Sequence, residues 1–125
     1  MWIASVIILS SFIASFSDWF FMDVLIHRFY EAEPAIWRAR GGRVRIVISQ
    51  LIGTVASAGV VALCLWAHGR AVPVAVAAWF AGPLPVIMQN LQWMRLHPAI
   101  AASHAAGWLV RLLIAALLAS WLLAP

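Results

Sequence analysis

The stretch HAAGWLVRLLIAALLASWL, residues 104–122, decides the fold class, because it is apolar over a length that suits a bilayer. A helix needs about 20 residues to cross a hydrocarbon core about 30 Å thick, and Arg111 is the one charged residue in this stretch. The composition of the whole chain agrees. Of its 125 residues, 66% are hydrophobic and 10% are charged, and the mean hydropathy is +0.99. An average soluble domain is roughly half apolar and about a quarter charged, so we expect an integral membrane protein.

Three further apolar segments precede this stretch, and each is long enough to cross a membrane. The predicted spans cover residues 2–26, 44–66, 72–94 and 99–123. Their apolar runs are continuous rather than alternating, which favours helices over barrel strands. The second and third connections are short, so the sequence predicts one transmembrane domain that is an all-α four-helix bundle. Pro83 and Pro85 predict a bend in the third span.

The arginines predict how the spans are oriented. The first connection, HRFYEAEPAIWRARGGRVR, contains five arginines and the third contains Arg95, whereas the second contains only Arg70. Loops rich in Lys and Arg stay in the cytoplasm. We therefore expect an amphipathic cytoplasmic connection at residues 27–43, with the N-terminus and the C-terminus both on the outer side.

The net charge of +4 predicts a lipid partner rather than a nucleic acid. All eight basic residues are arginines, and they gather at the ends of predicted helices, without stacking aromatics on a polar surface. Anionic lipid headgroups on the cytoplasmic side are the expected partners of such clusters. The residues predicted to contact them are Arg38, Arg40, Arg43 and Arg45.

Six polar residues from the four spans are predicted to lie at a similar depth, in the inner half of the membrane. Counted at about 1.5 Å per helical residue from the flanking arginines, these are Asp18, Gln50, Gln89, Asn90 and His104. The sixth, Arg111, lies deeper, near the middle of span four, and its side chain leans back toward the depth of Asp18. A lone charge at mid-bilayer is unfavourable by roughly 3 kcal/mol or more, so we expect Asp18 and Arg111 to form an ion pair. Asp23 follows Asp18 by five residues, which places the two carboxylates about 140° apart on an α-helix and predicts that they do not converge.

The chain contains no recognisable catalytic or metal-binding motif, and we expect it not to be an enzyme. Its histidines lack HxxxH or HExxH spacing, Gly41-Gly42 is an isolated pair rather than a phosphate loop, and no Ser or Cys stands in a nucleophile elbow. Cys64 is the one cysteine, so an internal disulfide is impossible. His104, flanked by small residues, is a candidate ligand for haem or a pigment, although no cofactor is expected.

Three functions fit this pattern, of which we predict the first and keep the other two as alternatives. The first is a structural or accessory membrane protein that associates through its helices with itself or with a larger complex. The second is a small-solute or proton-linked transporter that uses the polar cluster, because ionisable groups inside a membrane mark transport pathways. The third is a membrane subunit that binds haem or a pigment at His104.

The chain resembles a known bacterial family through its first and last spans. DWFFMDVLIHRFYEAEPAIWR at the end of span one, together with HAAGWLVRLLIAALLASWL in span four, resembles the domain of unknown function 1761 family of small four-span integral membrane proteins. The residue before the tryptophan is usually small in that family and is Asp18 here. The resemblance implies a four-helix membrane fold with no established activity, and we expect a multi-pass protein of a bacterial inner membrane.

Overall fold

The computed structural model describes residues 2–32, 43–68 and 70–123, and it contains helices but no strands over these ranges. Helix α1 (Trp2–Trp19) continues as a π-helical segment (Phe20–Leu25), and the short helix α2 (His27–Glu31) follows. Helix α3 (Arg43–Trp66) is the second long helix. The chain then forms α4 (Ala71–Ala81), α5 (Pro83–Trp93) and α6 (Pro98–Leu122).

Four segments of the described chain are long and apolar enough to cross a membrane. They are Trp2–Leu25, Ile46–Trp66, Ala71–Trp93 and Pro98–Leu122, close to the ranges predicted from the sequence. The predicted all-α four-helix bundle is therefore confirmed. Much of the first connection, including Arg38 and Arg40, lies outside the described residues.

Helix α6 is the centre of the bundle, because it contacts α1, α3, α4 and α5. Its buried residues are mostly small, which lets the neighbouring helices approach closely. The indole Nε1 of Trp79 on α4 donates a hydrogen bond to the Ala105 carbonyl of α6, at 2.8 Å. The main apolar core consists of Val6, Val60, Val61, Cys64, Ala71, Ala75, Leu112, Ala115, Ala116 and Ala119.

The third span is broken at Gly82, which separates α4 from α5. Gly82 has φ −114° and ψ −90°, and Pro83 begins α5 at a position that requires no backbone donor. The break agrees with the bend that the two prolines predicted. Beyond it, α5 contacts α4 and α6 but neither α1 nor α3 within the described residues. The half of span three that α5 forms therefore lies away from the α1–α3 side of the bundle.

Candidate functional site

A cavity of about 790 Å³ lies between α1 with its π-helical segment, α3 and α6. Small-molecule sites typically enclose about 300 to 1,000 Å³, so this cavity is large enough for a ligand. Its wall is apolar and aromatic over most of its area and also contains ionisable side chains. The charged, amide and imidazole groups on the wall are Asp18, Asp23, Gln50, His104 and Arg111.

The ion pair predicted from residue depth is present on this wall. Arg111 Nη2 donates to Asp18 Oδ2 and joins the last span to the first. The two side chains differ in burial: the guanidinium side chain of Arg111 is 5% exposed and the side chain of Asp18 is 40% exposed. The cation is therefore enclosed by the bundle, whereas part of its counter-ion remains open to the cavity.

The guanidinium of Arg111 fits into the bundle because residue 53 has no side chain. A Cβ built on Gly53 would lie 2.7 Å from Arg111 Cζ and 2.9 Å from Nη2, closer than atoms can pack, and it would also collide with Nη1. On the other side, Arg111 Cζ lies 5.9 Å from the ring centroid of Trp108, within the range of a cation–π contact. Arg111 Nη1 is buried without a hydrogen-bond acceptor among the described residues.

Polar side chains join α1 to α3 beside the ion pair. Ser15 Oγ lies 2.6 Å from Gln50 Oε1 on α3 and 2.8 Å from the Ser11 carbonyl oxygen on its own helix. The hydroxyls of Ser11 and Thr54 are 2.8 Å apart. Gln50, which the sequence placed in the polar cluster, therefore reaches the cavity and contacts α1.

Asp23 lies in the π-helical segment that follows Asp18. An α-helical spacing would direct Asp18 and Asp23 about 140° apart. A π-helix bonds residue i to residue i+5, so residues five apart lie on successive turns. Over Phe20–Leu25 the chain adopts this wider turn, and both carboxylates line the same cavity. That the two carboxylates do not converge as a pair stays a prediction.

A serine of α6 holds the π-helical segment in place. Ser103 Oγ donates to the Phe21 carbonyl at 3.2 Å, and both residues line the cavity. A π-helical turn displaces carbonyls from the regular α-helical bonding pattern, and such turns are frequent at functional sites. The predicted His104 follows Ser103 directly and also lines the cavity.

Gln89 and Asn90 do not join the cluster, contrary to the sequence prediction. Neither residue lines the cavity. They lie on α5, which contacts α4 and α6 but not α1 or α3 in the described structure. Depth along a span does not specify which side of the bundle each helix faces.

The predicted headgroup arginines are described only in part. Arg43 is exposed in the first turn of α3, just before the start of span two. The side chain of Arg45 and all of Arg38 and Arg40 lie outside the described residues. Arg43 is therefore the one member of the set whose exposure is visible, and it suits contact with solvent or headgroups.

Histidine geometry bears on the cofactor hypothesis. His104 is the one imidazole among the described residues that line the cavity. His97 lies at the start of α6, where its Nδ1 accepts from Ala99 N at 3.1 Å and its ring stacks on Phe29 at 4.7 Å. His27 Nε2 lies 3.0 Å from Glu31 Oε1. No group of three or more His, Cys, Asp or Glu in the described parts of the chain is placed to hold a metal ion.

Comparisons with protein-family models, curated proteins and solved structures find no match to this chain. Membership of the family that the sequence resembles therefore stays a prediction. The function rests on the geometry of the cavity and on the chemistry of the side chains that line it.

Proposed function

We propose that this chain is a non-catalytic, multi-pass protein of a bacterial inner membrane that carries a small polar solute through its cavity. The observation behind the proposal is the asymmetric burial of the Asp18–Arg111 pair, 40% against 5% exposed. If the ion pair served only to fix the register of the helices, we would expect both of its side chains to be buried. A buried charge is stabilised by the protein groups around it, and an open cavity supplies none. Asp18 instead faces a cavity large enough for a ligand.

The proposed orientation follows from the distribution of arginines. The first and third connections between the spans lie in the cytoplasm, and both termini lie outside. The cavity then occupies the inner half of the membrane, because Asp18, Asp23 and His104 lie toward the cytoplasmic ends of their spans. Arg43 and its neighbouring arginines contact anionic headgroups at that surface.

Proteoliposomes test the transport proposal with three probes of similar size. Choline, glycine betaine and methanesulfonate carry a positive, a balanced and a negative charge. We expect purified protein to raise the uptake of at least one probe above that of empty liposomes, and Asp18→Asn to abolish the increase. Glu31→Gln removes one negative charge from a side chain outside the cavity wall and serves as the matched control.

Two results contradict transport. One is uptake of all three probes at the rate of empty liposomes. The other is an increase in uptake that persists unchanged in Asp18→Asn, since the solute would then pass without contact with the ion pair.

Association with a second copy or with a larger membrane complex is the second candidate function. Span three favours association, because only 11% of its apolar stretch is buried inside the bundle, whereas 33% of the corresponding stretch of span four is buried. A large apolar face of that kind suits lateral helix contacts as well as lipid. The mass of the particle extracted in mild detergent distinguishes the two: association predicts a stable particle larger than one chain, and transport by a single copy predicts a monomer.

A further inference from the structure

Helix α5 turns glutamine side chains outward, away from the rest of the bundle. Its exposed face, which we call the α5 face, consists of Pro85, Val86, Gln89, Gln92 and Trp93. At about 100° per residue, Gln89 lies at the centre of this face. The opposite side of the helix is half-buried against α4 and α6. Polar side chains in a membrane span usually face the interior of the bundle, so the orientation of Gln89 requires an explanation.

The amide of Gln89 lies inside the hydrocarbon rather than among the headgroups. Gln89 precedes Trp93, the last residue of span three, by about 6 Å along the helix. Helical side chains lean toward the N-terminus of their own helix. Helix α5 begins at Pro83, near the middle of span three. The amide therefore leans toward the centre of the membrane and away from the nearer headgroups.

The α5 face is incomplete in a single chain. The side chains of Gln89 and Gln92 make no hydrogen bond within the part of the chain that the structure describes. An amide has an acceptor oxygen and two donor hydrogens, and lipid tails offer a partner to neither. An unpaired polar group in an apolar medium is unfavourable. A surface with hydrogen-bonding groups of its own would satisfy Gln89 inside the membrane.

We propose that a second copy of this chain covers the α5 face, with a twofold axis along the membrane normal. A twofold contact brings residues near the axis beside their own copies. Gln89 suits this position because an amide carries both donors and an acceptor, so two glutamines bond to each other. Hydrogen bonds of this kind between helices stabilise association in membranes. The inference rests on the second candidate function, association, and adds its partner and its surface.

The dimer and the solute cavity use different sides of the bundle. Within the described ranges, no residue of α5 lines the cavity, and α5 contacts neither α1 nor α3. Two copies joined through the α5 face therefore leave the walls of both cavities unchanged. Association through this face is compatible with the passage of a solute through each copy.

Disulfide formation between copies tests the surface. In a Cys64→Ala background, Gln92→Cys places a thiol on the α5 face, and Val47→Cys places one on α3, where Val47 is 56% exposed. The two positions match in depth, because each lies next to the end of its span on the same side of the membrane. With copper phenanthroline as the oxidant in liposomes, we expect Gln92→Cys to form at least about fivefold more cross-linked dimer.

Gln89→Leu tests the amide at the centre of the face. Energy transfer between dyes on a cysteine added after residue 125 of the Cys64→Ala chain measures dimerisation in liposomes. We expect Gln89→Leu to weaken dimerisation by at least about threefold, because the bonds between the two copies are lost. Asn90→Leu removes an amide from the half-buried side of the same helix and should stay within about twofold of the parent. Thermal unfolding of both variants verifies the fold.

A parent chain that stays monomeric in these liposomes would overturn the inference, whether lipid or another protein covers the α5 face. A folded Gln89→Leu variant that dimerises like the parent would overturn it too. A stable dimer that cross-links at least as well through Val47→Cys keeps association and removes the α5 face. The uptake assay stands apart: Asp18-dependent uptake by a monomer leaves transport without the dimer, and a dimer that carries no probe leaves association without transport.

Discussion

Arg111 organises the site at the scale of single residues. It is a charged side chain inside a membrane span, and three neighbours make its position tolerable: Asp18 supplies a counter-charge, Trp108 an aromatic face and Gly53 the necessary space. An unpaired charge at this depth would be unfavourable by roughly 3 kcal/mol or more. The sequence therefore has to provide all three features together.

Gly53→Ala tests the space that Arg111 requires. The added methyl would lie 2.7 Å from Arg111 Cζ, so the guanidinium has to leave its present position beside Asp18. We expect the free energy of unfolding to fall by about 1–3 kcal/mol, the range for overpacking a core. The measurement is reversible unfolding in mixed maltoside and dodecyl sulfate micelles.

Gly59→Ala is the matched control for that substitution. It lies on the same helix, and a Cβ there meets nothing within 4 Å. We expect its free energy of unfolding to stay equal or to rise slightly, since alanine favours helix over glycine by up to about 1 kcal/mol. Equal stability of the two variants would show that Gly53 leaves no essential space for Arg111.

The sequence predicted part of the site at this scale, and it did so by counting depth. Asp18 is the acid that the depth count places nearest to Arg111, so their contact followed from the energetics of a buried charge. Gln50 and His104 were found by the same reasoning. The role of Gly53 was not predicted, because a small residue in a span signals close packing without showing which side chain occupies the space.

At the scale of elements, the first span changes its helical period near its end. The π-helical segment Phe20–Leu25 contains Phe21, Met22 and Asp23, which all line the cavity. Its position is supported from another helix by the bond from Ser103 Oγ to the Phe21 carbonyl. A change of helical period of this kind depends on contacts between helices, and the sequence of the segment gives no sign of it.

Ser103→Ala tests that support. Removing the hydroxyl leaves the Phe21 carbonyl without the bond from α6, and we expect the free energy of unfolding to fall by about 1 kcal/mol. Ser120→Ala is the control on the same helix. The hydroxyl of Ser120 bonds to the Leu117 carbonyl of its own helix, at 2.9 Å, so we expect a loss below about 0.5 kcal/mol. Equal losses of unfolding free energy for the two variants in the same assay would show that Ser103 does not support the π-helical segment.

At the scale of the whole molecule, the last helix holds the bundle together, and the apolar spans are what the sequence predicted best. Continuous apolar runs of this length have few stable alternatives to membrane helices, and the four spans lie close to the predicted ranges. The placement of Gln89 and Asn90 shows the limit of that reasoning. Depth along a span can be counted from residue numbers. The arrangement of the helices around α6 can be known only from the contacts between them.

Reporter fusions test the orientation of the molecule. We expect alkaline phosphatase joined after residue 125 to be active, because the distribution of arginines predicts that both termini lie on the outer side. The same enzyme joined within residues 33–42, in the first connection, should be inactive. Green fluorescent protein at the two positions should give the opposite pattern. Phosphatase activity in the first connection alone would reverse the proposed orientation.

The charged side chains of α1 and α6 meet on the cavity wall, and we propose that water enters this cavity within the membrane. Ser15 lines this cavity, and its neighbour Phe16 is 62% exposed and points away from the wall at nearly the same depth. In a Cys64→Ala background, Ser15→Cys and Phe16→Cys are compared by their rate of reaction with N-ethylmaleimide in liposomes. A thiol reacts as the thiolate, which requires water. We expect Ser15→Cys to react at least about tenfold faster than Phe16→Cys. Equally slow reaction of the two thiols would show that water does not reach the cavity.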